Sequence, residues 1–178
     1  MILWWCNLLS DLAAVGILLR HIDDGLYLLF IKRKAHYSDP WSGHIAFPGG
    51  HYIEEDRDLY STVVREVLEE VGINLDEYGR LLDVLPSCYP LNKPVLKVYP
   101  YVFYVFGEPP IRKGVEVEEY YWVPIYDLSL VSREVSTGTG LRVVDAYVYR
   151  LGDVELVIWG LTKRILDILF KRISEYNL

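Results

Sequence analysis

Glutamine is missing altogether from the 178 residues. Thermolabile amides tend to be scarce in proteins from hot environments, so this absence, beside plentiful Tyr, Ile, Val and Glu, hints at a thermophilic source. Cysteine is limited to Cys6 and Cys88. That number excludes a disulfide framework and a cysteine metal cluster, and it fits a reducing cytoplasm. Basic charge is in deficit, with 18 Lys and Arg against 25 Asp and Glu, a net charge of −7 and a pI of about 5.1. This balance argues against nucleic acid and anionic membrane surfaces as partners. The four histidines, His21, His36, His44 and His51, lack the close helical pairing of zinc motifs. The start of the chain is apolar from Met1 to Trp5, with Trp4 and Trp5 as candidates for an interface. It has no basic n-region and is broken by Asp11, so it reads as a buried first segment and neither a signal peptide nor a membrane span.

What is present describes a globular protein. Apolar residues make up 52% and charged residues 24% of the chain, and the length suits a single domain over 1–178 with a sizeable core. Residues 12–20 and 26–33 are apolar and β-like, with Asp23-Asp24-Gly25 as the turn between them. A short strand from Ile45 to Phe47 leads into a glycine turn and a helix over about Leu59 to Val71. Leu81 to Leu85, Val98 to Phe106 and Glu119 to Val123 read as further strands, and the nearly unbroken apolar run of the second predicts a central strand covered on both faces. Residues 107–114 form a loop rich in Gly and Pro, and Pro124 to Leu128 reads as a short helix. Arg142 to Arg150 and Val154 to Ile158 flank Leu151-Gly152-Asp153 as a last hairpin. Leu161 to Ile173 follows as an amphipathic helix with Leu161, Ile165, Ile168 and Leu169 inward. The alternation predicts an α/β fold, an α/β/α sandwich around a mixed β-sheet.

Most of the functional information lies in residues 43–73, GHIAFPGGHYIEEDRDLYSTVVREVLEEVGI. Glu66, Glu69 and Glu70 stand at i, i+3 and i+4, so they share one helix face. Val64, Val67, Leu68 and Val71 form an apolar face opposite. Three carboxylates so close repel each other unless a cation lies among them, and oxygen ligands suit a hard ion, Mg²⁺ or Mn²⁺. Arg65 either binds phosphate or clamps one of the carboxylates. Gly72 ends the helix as its C-terminal cap. A Glu-rich helix face alone is commonly just solvated. The Phe47-Pro48-Gly49-Gly50 turn immediately upstream is what makes the pattern a site.

These residues together resemble the Nudix box, whose pattern is Gly, five residues, Glu, seven residues, Arg-Glu-apolar-x-Glu-Glu-x-Gly-apolar. Arg65, Glu66, Val67, Glu69, Glu70, Gly72 and Ile73 all match. The first half departs: His51 falls on the glycine position and Arg57 on the first Glu, while Gly50 is one residue early with Asp56 six residues after it. The box is one residue longer than usual, as in the coenzyme A pyrophosphatase branch of the family, where an Asp stands where Asp56 does. The likeness to that branch continues through Arg33, Ser42 to Gly50, Glu116 and Glu119, Tyr121-Trp122-Val123-Pro124 and Ile158 to Thr162. Ser38-Asp39-Pro40-Trp41 departs from it, since the branch has an Arg where Asp39 reverses the charge.

The resemblance implies a Nudix-type fold and metal-dependent hydrolysis of the pyrophosphate linkage in a nucleoside diphosphate derivative. It puts coenzyme A or acyl-coenzyme A first, and ADP-ribose, a dinucleotide or a nucleoside triphosphate as alternatives. A nucleotide sensor without turnover is a further alternative, disfavoured by the intact Glu66, Glu69 and Glu70. The implied metal ligands are Glu66, Glu69, Glu70 and the Gly50 carbonyl. The catalytic candidates are Arg65, Glu66, Glu69, Glu116 and Glu119, with the general base open among the four glutamates. Arg33, His44, Gly49 and His51 are candidates for substrate phosphate, Lys32, Arg33, Lys34 and Arg65 for local positive charge, and Trp41, Tyr37 and Tyr89 for stacking on a base. The resemblance also makes a homodimer a candidate state.

Overall fold

Two long strands set the frame. β1 (Leu12–Ile22) and β2 (Gly25–Arg33) pair antiparallel with Ile22 opposite Gly25. The turn between them is therefore the two residues Asp23-Asp24, and Asp23 takes the positive φ of 50° that such a turn requires. The computed structural model describes residues 11–36, 41–137 and 140–175. Trp4, Trp5, Cys6, Tyr37 and Asp39, with the readings that involve them, lie outside the described residues.

β1 is the middle of a seven-stranded mixed sheet. The order is β3 (Ile45–Ala46), β2, β1, β6 (Lys97–Val105), β5 (Gly79–Val84), with β4 (Gly49–His51) also paired to β1 and β7 (Val117–Pro124) to β2. The β1–β6 pairing is parallel and the others are antiparallel. Period-two alternation along β2 sends Leu28 and Phe30 into one core and Leu29 and Ile31 into the other. The expected central strand is β6, buried at Val98, Pro100, Val102, Phe103 and Val105. Phe106 falls outside it and is exposed.

α1 (Leu59–Val71) and the short α2 (Leu75–Tyr78) cover one face of the sheet. On α1 the Asp58 side chain accepts from the Ser61 N–H at 2.7 Å as an N-cap. Gly72, at φ 75°, ends the helix by donating to the Leu68 carbonyl. The inward stripe is Val63, Val67, Glu70 and Val71, spaced i, i+4, i+7 and i+8. This corrects the apolar face expected from Val64, Val67, Leu68 and Val71: Leu68 is 40% exposed and Val63 fully buried. The shift has a cause, because one inward position is filled by a carboxylate, and hydrophobicity alone counts that position as surface. Burial of each of these valines stabilises the layer by about 1.5–3 kcal/mol.

The other face is covered by β10 (Val154–Ile158) and the C-terminal helix α3 (Gly160–Glu175). Ile165, Leu166 and Leu169 are its buried apolar residues, with Leu161 and Ile168 half-buried. β10 belongs to a second, three-stranded antiparallel sheet with β9 (Gly140–Leu151) and β8 (Ser129–Thr137). β8 was not among the expected strands: it carries Ser, Arg and Glu on an edge and buries only Val135. Ile125–Asp127 is a single 3₁₀ turn where a short helix was expected. Among the described residues no helix is long and apolar enough to cross a membrane.

Candidate active site

β4 crosses the N-terminal half of β1, and this pairing brings the glycine turn over α1. Gly49, Gly50 and His51 lie opposite Val15, Ala14 and Ala13. The Glu66 carboxylate rests directly against Gly50, with no room for a side chain between them. The Gly49 N–H donates to Glu70 Oε2 at 2.8 Å. Two of the three helix carboxylates are thus seated on the two glycines.

Arg65 orders this arrangement from behind. Its Nε and Nη2 donate to Asp56 Oδ1 and Oδ2 at 2.9 and 3.0 Å, its Nη2 also to the His51 carbonyl at 3.1 Å, and its Nη1 to Glu66 Oε1 at 2.7 Å and Glu69 Oε2 at 3.4 Å. Asp56 is buried, accepts further bonds from Thr62 Oγ1 and the Ile53 N–H, and is held below the usual Asp range chiefly by Arg65. Of the two roles open to Arg65, the structure selects the clamp. Asp56, which falls six residues after Gly50, meets this clamp through both carboxylate oxygens.

The sequence spacing puts Glu66, Glu69 and Glu70 on one face, yet their environments differ. Glu70 is buried, and burial pushes its pKa up to about 8 against the opposing Gly49 N–H. Glu66 is also raised, first by burial, with Arg65 opposing. The Glu69 side chain is 59% exposed. Among the described residues no three His, Cys, Asp or Glu side chains yet converge on one point. The donor chemistry fits a hard divalent ion: every candidate ligand is an oxygen, and the buried Glu70 has its nearest guanidinium, Arg33, only at 3.7 Å.

A cavity of about 440 Å³ opens over these groups. Its acidic end holds Glu66, Glu69, Glu70, Glu116, Gly49, Gly50 and Arg33. Arg33 stands between Glu70 at 3.7 Å and Glu116 at 3.8 Å. Another part of its lining is apolar, built from Trp41, Leu96, Val98, Trp159 and Leu161. His44 and His51 both line the cavity, and the His44 ring lies 4.7 Å from that of Trp159. Trp41 is a lining residue as expected, while Tyr89 is not.

Glu119 stands apart from the other three glutamates. It does not line the cavity; Lys113 binds it at 3.1 Å and its own carboxylate accepts from the Tyr120 N–H. Lys32 and Lys34 are likewise committed elsewhere, to Glu118 at 2.6 Å and to the Val115 carbonyl at 2.7 Å. Sequence reading missed Trp159, Thr162 and the Gly114-Val115 pair as lining residues. The last is placed by hydrogen bonds from the Arg112 and Gly114 N–H groups to the Val71 and Glu70 carbonyls at the end of α1. An 87% exposed Val115 at a cavity mouth is a signal only the structure supplies.

A profile of the NUDIX domain family matches residues 11–142. The chain belongs to the Nudix family. Among its relatives is Nudix hydrolase 15, mitochondrial, of Arabidopsis thaliana, 32% identical over 162 residues that cover 86% of this chain and 55% of the plant protein. Nudix hydrolase 22, chloroplastic, of the same plant is also 32% identical, over 86% of this chain and 52% of its own. The chain thus spans about half the length of these two Nudix relatives. The uncharacterized Nudix hydrolase NudL of Yersinia pestis is 28% identical, over 82% of this chain and 72% of its own. The fold is shared with a MutT/nudix family protein from Enterococcus faecalis at a TM-score of 0.60 and 23% identity, over 93% of this chain and 62% of that one.

Proposed function

We propose that this Nudix domain hydrolyses the pyrophosphate linkage of a nucleoside diphosphate derivative with Mg²⁺ or Mn²⁺, and that coenzyme A or an acyl-coenzyme A is the substrate. The observation that carries this reading is the seating of Glu66 and Glu70 on Gly50 and Gly49 at the acidic end of the cavity. Glu66, Glu69, Glu70 and the Gly50 carbonyl would hold the ion. A divalent ion there neutralises phosphate charge and supplies a water of lowered pKa.

The chain's own groups do the rest. Gly49 and Gly50 leave the backbone open to a diphosphate. Arg33 faces the same end of the cavity and offers a guanidinium to phosphate oxygens. Arg65 keeps the Glu66 carboxylate in place through a charge-assisted bond. Water attacks one phosphorus, the bond from that phosphorus to the bridging oxygen breaks, and the water's proton passes to a carboxylate. Glu66 and Glu70 are held by short bonds from Arg65 and the Gly49 N–H, whereas Glu69 and Glu116 are the more exposed and meet their arginines only at 3.4 and 3.8 Å, so these two are the candidates to accept it. The apolar wall of Trp41, Leu96, Val98 and Leu161 suits the pantetheine or acyl arm, which has a long aliphatic stretch and few charges. The likeness to the coenzyme A branch outside the box supports the same choice.

A substrate panel with Mg²⁺ and Mn²⁺ tests this. Preferential cleavage of coenzyme A or its thioesters is the expected result. Preference for ADP-ribose, a dinucleotide or a nucleoside triphosphate refutes the substrate, and no cleavage of any of them refutes the activity.

A further inference from the structure

The charged groups lining the cavity are unbalanced. Among the described residues that line it, the carboxylates of Glu66, Glu69, Glu70 and Glu116 are joined by one guanidinium, Arg33, which already stands between Glu70 and Glu116, while Arg65 behind them is taken up by Asp56, Glu66 and Glu69. Among the described residues no further lysine or arginine lines the cavity for a substrate anion beyond the diphosphate. The structure supplies one at the rim instead. The chain between Cys88 and Val98, which pair as an isolated bridge, forms a closed loop. Lys93 sits on its turn, with its N–H donating to the Pro90 carbonyl and its own carbonyl accepting from the Leu96 N–H. Pro90 and Leu96 both line the cavity and are buried, so the turn is anchored at both ends.

From that turn Lys93 Nζ reaches to 3.3 Å from Nε2 of His51. An ammonium can only donate, so Nε2 accepts and the ring proton is on Nδ1, which is left as a second donor. Among the described residues no carboxylate forms an ion pair with Lys93. A cation held by a neutral ring next to an acidic cavity has one unused capacity, which is to bind an anion.

We propose that Lys93 and His51 form a subsite for a phosphate monoester on the ribose of the substrate's nucleoside, outside the diphosphate that is cleaved. This rests on the proposed hydrolysis of a nucleoside diphosphate derivative and makes its specificity definite: the subsite separates coenzyme A, which carries a 3′-phosphate, from 3′-dephospho-coenzyme A, which does not. Lys93 is then a specificity residue and takes no part in the chemical step.

The test compares KM for coenzyme A and 3′-dephospho-coenzyme A in the wild type, Lys93→Met and Lys93→Arg. A charge-assisted contact to phosphate predicts a wild-type KM about tenfold lower for coenzyme A. In Lys93→Met that ratio falls towards one, and Lys93→Arg keeps most of it. Raising the salt concentration narrows the wild-type ratio in the same direction. A ratio that Lys93→Met leaves unaltered overturns the subsite. Calorimetry with adenosine 3′,5′-bisphosphate against AMP gives a readout without turnover. Tighter binding of the bisphosphate that is lost in Lys93→Met upholds the subsite even if neither substrate is cleaved, whereas equal binding of both ligands by the wild type refutes it.

Discussion

Two adjacent glycines should fail in different ways when each is replaced by alanine. A methyl group on Gly50 would lie 2.5 Å from Cδ and 2.7 Å from Oε2 of Glu66. Ordinary contact lies near 3.5 Å, so the carboxylate must retreat by about 1 Å. The obstacle is the end of a side chain, which can yield, so the fold loses little. A displacement of about 1 Å at a reacting site can cost about a hundredfold in rate. Gly50→Ala is therefore expected to lower kcat by about that factor and to weaken Mn²⁺ dependence, with a melting curve near wild type.

Gly49 presents the opposite case. Its φ of 152° lies in a region L-residues rarely adopt. A methyl there would strike the backbone of β1 at the Ala14 carbonyl and stand 2.6 Å from Val15 Cα. Strain of about 1–3 kcal/mol adds to an overpacking cost of about 1–3 kcal/mol. Gly49→Ala should lose about 2–6 kcal/mol in urea unfolding, a large share of the roughly 5–15 kcal/mol typical of a domain. Metal titration of turnover and urea denaturation of both variants decide the matter. A Gly50→Ala enzyme with wild-type kcat and metal dependence would refute the assignment of Glu66 to the site, and an undiminished urea midpoint in Gly49→Ala would refute the β4–β1 geometry.

The other expectations concern single groups. Asp56→Asn should cost about 3 kcal/mol near neutral pH, since it breaks a buried pair with Arg65. Because the folded-state pKa of Asp56 lies below its ordinary value of 3.8, that stability is present above the unfolded pKa and vanishes as pH falls through the folded one; the wild-type and mutant stability curves should converge in acid, and parallel curves would contradict the pairing. Glu69→Gln should lower turnover at least about a hundredfold through lost metal and water activation, and Glu116→Gln at least about tenfold through lost proton transfer. Glu119→Gln should stay within about twofold, because its exposed pair with Lys113 is worth little; steady-state kinetics of the three variants will show whether Glu119 belongs outside the site. Asp58→Ala should destabilise α1 by removing its N-cap, read as a lowered unfolding midpoint with kcat retained.

Much of this was legible in the sequence. The residues with special backbone or packing roles reveal themselves by type: Asp23-Asp24 as a turn, Gly72 as a cap, the Leu59–Val71 helix by its period. The misreadings share a physical origin. Periodicity sorts residues by hydrophobicity, so it turned α1 towards Leu68 and could not see that Glu70 occupies an inward position. β8 was overlooked because an edge strand has no need of an apolar face. Glu116 and Glu119 looked equivalent because spacing says nothing about which carboxylate a neighbouring Lys113 will take. Lys93 was invisible for a deeper reason: its meaning depends on a contact across 42 residues that only the folded loop creates.

The extra residue in the box connects these observations. An insertion between the glycine turn and the helix must be absorbed somewhere without moving Glu66 from Gly50. The turn from Tyr52 to Asp56 that joins the two is closed on itself: the Asp56 N–H donates to the Ile53 carbonyl, the Ile53 N–H to Asp56 Oδ2 and the Tyr52 hydroxyl to the Asp56 carbonyl. Asp56 consequently meets Arg65 through both oxygens, and the helix keeps its register against the glycines. Counted back from Arg65, the glycine of the usual pattern falls on His51. Its carbonyl helps to fix Arg65 while its ring reaches the rim and Lys93. One short segment thus holds Glu66 against Gly50 through the Asp56–Arg65 clamp and carries the His51 ring that meets Lys93, so changes within Tyr52–Asp56 are expected to disturb both together.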